Sequence, residues 1–130
     1  MKSKRVVLVD DHEAFLKAAT CFLHGIPGLE LVGRATCGEE AVEIVATLHP
    51  DLVLMDFAMP GMNGVEATRR IKRQHDAPKV IIVTLHQESS YGALAKDAGA
   101  DGFIQKENFV DELPRLATLL FETAGREKTK

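Results

Sequence analysis

Three short apolar runs in this sequence each end in a residue that can do chemistry. Val6-Val7-Leu8-Val9 closes on Asp10-Asp11, Leu52-Val53-Leu54-Met55 on Asp56, and Val80-Ile81-Ile82-Val83 on Thr84. A shorter run, Gly102-Phe103-Ile104, is followed by Lys106. If these runs lie side by side with their ends on one rim, three carboxylates, a hydroxyl and an ammonium converge. Crowded carboxylates repel, so the array wants a cation. Hard oxygen ligands with room for water suit Mg²⁺, which is usually held by one or two carboxylates plus phosphate oxygens. A metal would also neutralise an incoming phosphoryl group that bare aspartates reject. Lys106 would hold one phosphoryl oxygen as a point charge, and Thr84 would donate a hydrogen bond to another. The constellation reads as phosphoryl transfer to a carboxylate nucleophile.

The elements that must position these residues follow from hydrophobic periodicity. The continuous, β-branched runs are strands buried on both faces. Leu29 to Ala35, introduced by Pro27-Gly28, is a weaker second strand, and Gly102-Phe103-Ile104 is the fifth. Between them lie helix-period segments. Phe15, Ala18, Ala19 and Phe22 form one stripe, and Ala41, Ile44, Val45 and Leu48 another that stops at His49-Pro50. Val65 to Ile71 opens after Met62-Asn63-Gly64 and ends before Pro78. Tyr91, Leu94, Ala95 and Ala98 carry the fourth helix, where Gly92 lowers intrinsic stability. Leu113, Leu116, Ala117 and Leu120 carry the fifth. Pro114 belongs in a first turn, so Asp111 is the expected N-cap, with regular helix from about Glu112 and fraying after Thr123. Five strand–helix alternations predict an α/β fold, an open parallel sheet with helices on both faces. In such sheets the ligand site lies beyond the carboxyl ends of the strands.

Length and composition exclude several classes. The chain has 130 residues, enough for one domain, with 45% hydrophobic and 27% charged residues. Its 16 basic and 19 acidic residues give a net charge of −3, so no global basic field attracts nucleic acid. The run Arg69-Arg70, Lys72-Arg73 reads as a solvated helix face. Cys21 and Cys37 form no CxxC pair and are expected as reduced thiols. No signal-peptide core precedes Asp10, and no apolar run reaches membrane-spanning length, so a soluble, cytoplasmic protein with no membrane partner is expected.

With these residues in view, the sequence resembles the receiver domain of two-component response regulators. The resemblance runs from Val6 to about Phe121. It rests on Val9-Asp10-Asp11, Leu54-Met55-Asp56, Met59-Pro60-Gly61-Met62-Asn63-Gly64, Val83-Thr84 and Gly99-Ala100-Asp101-Gly102-Phe103 leading to Lys106. It implies a doubly wound, five-stranded parallel sheet of order 2-1-3-4-5, the flavodoxin-like (βα)5 receiver fold, over residues 4–124. Residues 125–130 would be a disordered tail or a truncated linker to an output domain. By this resemblance Asp56 accepts a phosphoryl group from a histidine kinase or a small phosphodonor. Mg²⁺ or Mn²⁺ is bound directly by Asp11 and Asp56 with the main-chain carbonyl of Ala58, and by Asp10 through water. Lys106 contacts the phosphoryl group. Thr84 is the switch hydroxyl and Phe103 the switch aromatic. The surface of the fourth helix, fifth strand and fifth helix then changes shape, and a homodimer through it is one candidate partner state. The chain would be a signalling switch rather than a turnover enzyme, with no organic cofactor.

Some positions depart from the commonest pattern. Glu107, not proline, follows Lys106, so no cis peptide is expected there. Leu85 stands where a small residue is common after the threonine, and with Ala58 is expected to set the lifetime of the phosphoryl group. Thr84-Leu85-His86, with Glu112-Leu113 after the lysine, resembles the NarL/FixJ subgroup. Full-length members of that subgroup carry a C-terminal DNA-binding domain, for which nothing after residue 124 suffices. The expected function is thus to control an output domain that regulates transcription. A stand-alone receiver that regulates a partner by binding, and a receiver-fold module that is never phosphorylated, are the alternatives. A flavin carrier would need a phosphate-binding loop where Asp10-Asp11-His12 stands. A dehalogenase-like phosphatase would need an aspartate where Ala58 stands. His12 and His86 are expected as surface or capping residues near the pocket.

Overall fold

The computed structural model describes residues 3–85 and 89–129, with side chains over 3–85 and 92–121. His86 and the Tyr91 side chain, both singled out above, lie outside these described parts. Five strands, β1 (Lys4–Val9), β2 (Leu29–Ala35), β3 (Leu52–Asp56), β4 (Lys79–Thr84) and β5 (Gly102–Gln105), alternate with five helices. The helices are α1 (Glu13–His24), α2 (Gly38–Leu48), α3 (Gly64–Lys72), α4 (Ser89–Asp97) and α5 (Phe109–Thr129), with one 3-10 turn at Lys106–Asn108 before α5. The strands pair in parallel in the order β2-β1-β3-β4-β5, as the resemblance implied.

Side-chain alternation in β1 and β3 builds two cores, one on each face of the sheet. Val7, Val9, Val53 and Met55 face Ala41 and Val45 of α2, Ala67 and Ile71 of α3, and Ala95 of α4. Val6, Leu8, Leu52 and Leu54 face Leu16, Ala19 and Leu23 of α1 and Phe109 and Leu113 of α5. Burial on both faces is why these strands read as unbroken apolar runs. Register then sets the rim: Val9 pairs with Met55, Asp56 with Val83 and Thr84 with Gln105. The strands therefore end nearly level, and the residues just after them share one edge.

Three expectations about the helices are corrected. The buried stripe of α1 is Leu16, Ala19 and Leu23, with Phe15 and Phe22 only partly buried and Ala18 exposed. Leu16, Ala19 and Leu23 pack in one core with Val6, Leu8, Leu52 and Leu54 of the sheet, which leaves Phe15 and Phe22 at its edge against Phe109. Helix α5 starts at Phe109, not Glu112, so Pro114 lies inside it rather than in its first turn. Phe109 is buried against Phe15 and Phe22, with ring centroids 5.3 and 5.8 Å away. Packing Phe109 edge-on between two half-buried rings outweighs the one helical hydrogen bond that proline removes. The backbone of α5 also stays helical through Thr129, past the expected fray at Thr123. A single glycine at 125 costs only about 1 kcal/mol, and no proline follows to stop the helix.

Gly64 fixes the loop that follows β3. Its N–H donates to the Phe57 carbonyl at 2.9 Å, and a Cβ here would overlap the Asp56 carbonyl. Asn63 caps α3 by accepting from the Glu66 N–H at 2.9 Å. The seven residues between strand and helix are thus tied at both ends, which holds the backbone at Asp56 in place.

Candidate functional site

Asp10 and Asp56 end adjacent strands and are buried, at 1% and 3% exposure. Asp11 lies just outside them. Lys106, entering from the first turn after β5, places its Nζ 2.6 Å from Asp10 Oδ2 and 3.6 Å from Asp56 Oδ1. The sheet thus brings Asp10, Asp11, Asp56 and Lys106 to one point from three strand ends. One Asp56 oxygen, Oδ2, is buried and accepts no hydrogen bond among the described residues.

His12 joins them while keeping the surface, capping place expected of it. Its Nδ1 lies 3.0 Å from Asp10, 3.3 Å from Asp11, 3.8 Å from Asp56 and 3.5 Å from Lys106 Nζ. Its backbone N–H also donates to Asp10 at 2.7 Å. The ring remains 55% exposed and His12 occupies the N-cap position of α1, so the surface and capping description is true and incomplete. The signal for it was adjacency: a helix that starts directly after Asp11 turns its first residues back over the strand ends.

Burial makes the Asp56 carboxylate costly to ionise, and the negative charge of Asp10 adds to that cost. Lys106 offsets part of it, while Asp11 lies close enough to share a proton and raises it again. The net effect lifts the Asp56 pKa to about 7. Such a group wants a compensating cation. Asp10, Asp11, His12 and Asp56 each offer a ligand atom within 4.8 Å of the others. Carboxylate oxygens, with Asp56 Oδ2 buried and accepting no hydrogen bond among the described residues, are the hard donor set that Mg²⁺ or Mn²⁺ takes. The residues present therefore fit a divalent ion.

The remaining candidates lie around this centre. Thr84 is buried at the end of β4, one residue past the Val83 carbonyl that accepts from the Phe57 N–H at 3.3 Å. Ala58 is exposed on the loop after Asp56, and Leu85 is 65% exposed beside Thr84. Phe103 is half-buried in β5, packed against the core under α4. It lines shallow clefts on both its flanks, one with Gly92 and Ala95 of α4 and one with Leu116 and Leu119 of α5. Three of the four basic side chains in the run at α3 have carboxylate partners. Arg69 and Arg70 each bond Glu66 at 3.0 Å, and Lys72 bonds Asp101 at 2.9 Å. Among the described residues no helix is long and apolar enough to cross a membrane.

Comparison with known proteins agrees with this geometry. The sequence profile of the response regulator receiver domain matches residues 6–118. The chain is 38% identical over 117 residues to the response regulator GacA of Pseudomonas aeruginosa, covering 90% of this chain and 55% of GacA. It is 45% identical over 101 residues to the response regulator UvrY of Escherichia coli K12, covering 78% of this chain and 46% of UvrY. The chain thus spans about half the length of these relatives. Among solved structures, a LuxR-family two-component response regulator from Aurantimonas superposes with a TM-score of 0.84 at 33% identity, covering 95% of this chain and 87% of that one. The signal receiver domain named NarL from Mycobacterium tuberculosis gives 0.84 at 27%, covering 96% and 98%. On the match over most of its length and on the fold, this chain belongs to the receiver domain family of two-component response regulators.

Proposed function

We propose that this domain is a phosphoacceptor switch, with Asp56 as the group that is phosphorylated. The observation that carries this reading is the buried Asp56 oxygen that accepts no hydrogen bond among the described residues, beside an ammonium 3.6 Å from the other oxygen. An ionised Asp56 oxygen attacks phosphorus. The bond from phosphorus to the donor atom breaks, that atom leaves with its electron pair, and an acyl phosphate results. The donor is a phosphohistidine of a kinase or a small phosphodonor. Lys106 steadies the charge on a phosphoryl oxygen, as an ammonium does for developing negative charge.

Asp11, Asp56 and the Ala58 carbonyl would hold Mg²⁺ directly, and Asp10 through water. The ion supplies the positive charge that lets an anionic phosphoryl group approach three carboxylates. The chain's own residues do the rest. Asp10 holds Lys106 at the rim, the β3–α3 loop fixes Asp56, and Thr84 would donate to the new phosphoryl group. Phe103, half-buried between α4 and α5, is the aromatic that would change its packing with it. A local electrostatic change thereby biases a surface with two arrangements. That surface, α4–β5–α5, would contact a partner, a second copy of the chain or an output domain that controls transcription. The chain is consumed and restored rather than turning over a separate substrate, and works in the cytoplasm with a histidine kinase as partner.

Incubation with acetyl phosphate and Mg²⁺ followed by intact-mass measurement tests this. The expected result is a gain of one phosphoryl group, abolished in Asp56→Asn and retained in Asp97→Asn on the exposed face of α4. A chain that gains no phosphoryl group from small donors or from kinases would instead be a binding module of the same fold.

A further inference from the structure

Lys106 is held on a side that its carboxylate partners do not reach. Its Nζ lies 4.5 Å from the centroid of the Phe15 ring, while the side chain as a whole is only 6% exposed. Phe15 stands edge-on to Phe109, with planes at 70°, and Phe109 stands edge-on to Phe22. Phe109 is part of the core shared by α1 and α5. The ammonium therefore rests against an aromatic wall whose own position the core fixes. His12 lies three residues before Phe15 on the same face of α1, with its Nδ1 3.5 Å from the same nitrogen. The start of α1 flanks the lysine on two sides.

An aromatic ring differs from an aliphatic side chain of similar size in one relevant way. Its negative face attracts a cation within about 6 Å, yet it offers no lone pair that competes for the N–H donors. A carboxylate at position 15 would hold the lysine more tightly and occupy those donors. A leucine would fill the space and hold nothing. The four-carbon stem of a lysine is flexible, and fixing its head group is a real entropic demand.

We infer that Phe15 is a positioning residue for Lys106. Its ring keeps the ammonium above Asp10 and Asp56 with donors available to a phosphoryl oxygen. This rests on the phosphoacceptor reading above. The contact that Phe15 makes here is with the lysine and not with a charged ligand of the metal, so its effect is expected on transfer rather than on Mg²⁺ affinity.

The test compares Phe15→Leu and Phe15→Tyr in the full chain, each also in a Lys106→Ala background. Phosphorylation by acetyl phosphate is followed at saturating Mg²⁺, and the Lys106 ε-methylene protons are followed by NMR. Phe15→Leu is expected to slow the maximal transfer rate about five- to tenfold, and Phe15→Tyr to stay within about twofold of wild type. In the Lys106→Ala background, Phe, Leu and Tyr at position 15 should give the same rate. The ε-methylene resonances should be shielded by ring current in wild type and Phe15→Tyr, and shifted back in Phe15→Leu. An equal loss with and without Lys106 would mean that Phe15 acts through packing alone, which overturns the inference. Unshielded ε-methylene protons in the wild type overturn it too. Both failures arise in a chain that is phosphorylated, whereas a wild-type chain that accepts no phosphoryl group overturns the phosphoacceptor reading itself.

Discussion

The Lys106 ammonium lies 2.6 Å from the Asp10 carboxylate, an ångström closer than to Asp56. Asp10 also accepts the His12 N–H, so one buried aspartate orders both the lysine and the start of α1. Breaking a buried ion pair by removing one partner leaves a charge without compensation, so Lys106→Met should cost roughly 2–4 kcal/mol of stability at pH 8. Adding Asp10→Asn removes the stranded charge and should restore at least half of that loss. Urea unfolding of the two single variants and the double variant checks this, and additive losses would show that the two groups are energetically independent.

Asp56 makes stability depend on pH in a definite direction. Burial first, then the charge of Asp10, raises its pKa from 3.8 to about 7 in the folded chain. The folded state therefore binds this proton more tightly than the unfolded state does. The resulting stability is fully present below about pH 4 and is lost as pH rises through about 7. The metal-free protein should weaken between pH 5 and pH 8, and Asp56→Asn should flatten that slope. At pH 8 the variant should exceed wild type by about 2–4 kcal/mol. Equal urea midpoints for wild type at the two pH values would mean that the carboxylate is far better solvated than its burial implies.

The same proton competes with a divalent ion. A metal requires the ionised carboxylate, so below pH 7 each unit of acidity should weaken Mg²⁺ affinity by about tenfold. Mg²⁺ should accordingly raise the thermal midpoint more at pH 8 than at pH 6. Asp56→Asn should lose most of that response at both. Titration of Mg²⁺ followed by calorimetry reads the affinity directly, and a pH-independent affinity would place the ion away from Asp56.

Much of this arrangement was legible in the sequence, for a physical reason. A strand buried on both faces must be continuously apolar, so the first polar residue after Val9, Met55 and Val83 marks the rim. That located Asp10, Asp56 and Thr84 without knowledge of which strands are neighbours. What stayed hidden depends on contacts between distant segments. The buried face of α1 is set by Leu16, Ala19 and Leu23 meeting the sheet, and the start of α5 by Phe109 packing on Phe15 and Phe22 of a distant segment. A local rule for Pro114 cannot see that cluster. The preference of Lys106 for Asp10 over Asp56 is likewise a matter of ångströms, which residue spacing along the chain does not encode.

Leu85 offers a test that folding does not confound. It follows Thr84 at the rim and is 65% exposed, so it adds little to the core. Leu85→Ala should therefore change stability by less than about 0.5 kcal/mol. An acyl phosphate on Asp56 is lost when water reaches phosphorus opposite the bond that breaks. A branched apolar side chain beside Thr84 narrows that approach, whereas a methyl group leaves it open. The variant's phosphoryl group should accordingly decay several-fold faster after the donor is removed, with its rate of formation little changed. Equal decay in the two proteins would take steric shielding by Leu85 out of the account. The exposed Ala58, on the loop after Asp56, would then be the remaining position at which side-chain size controls water.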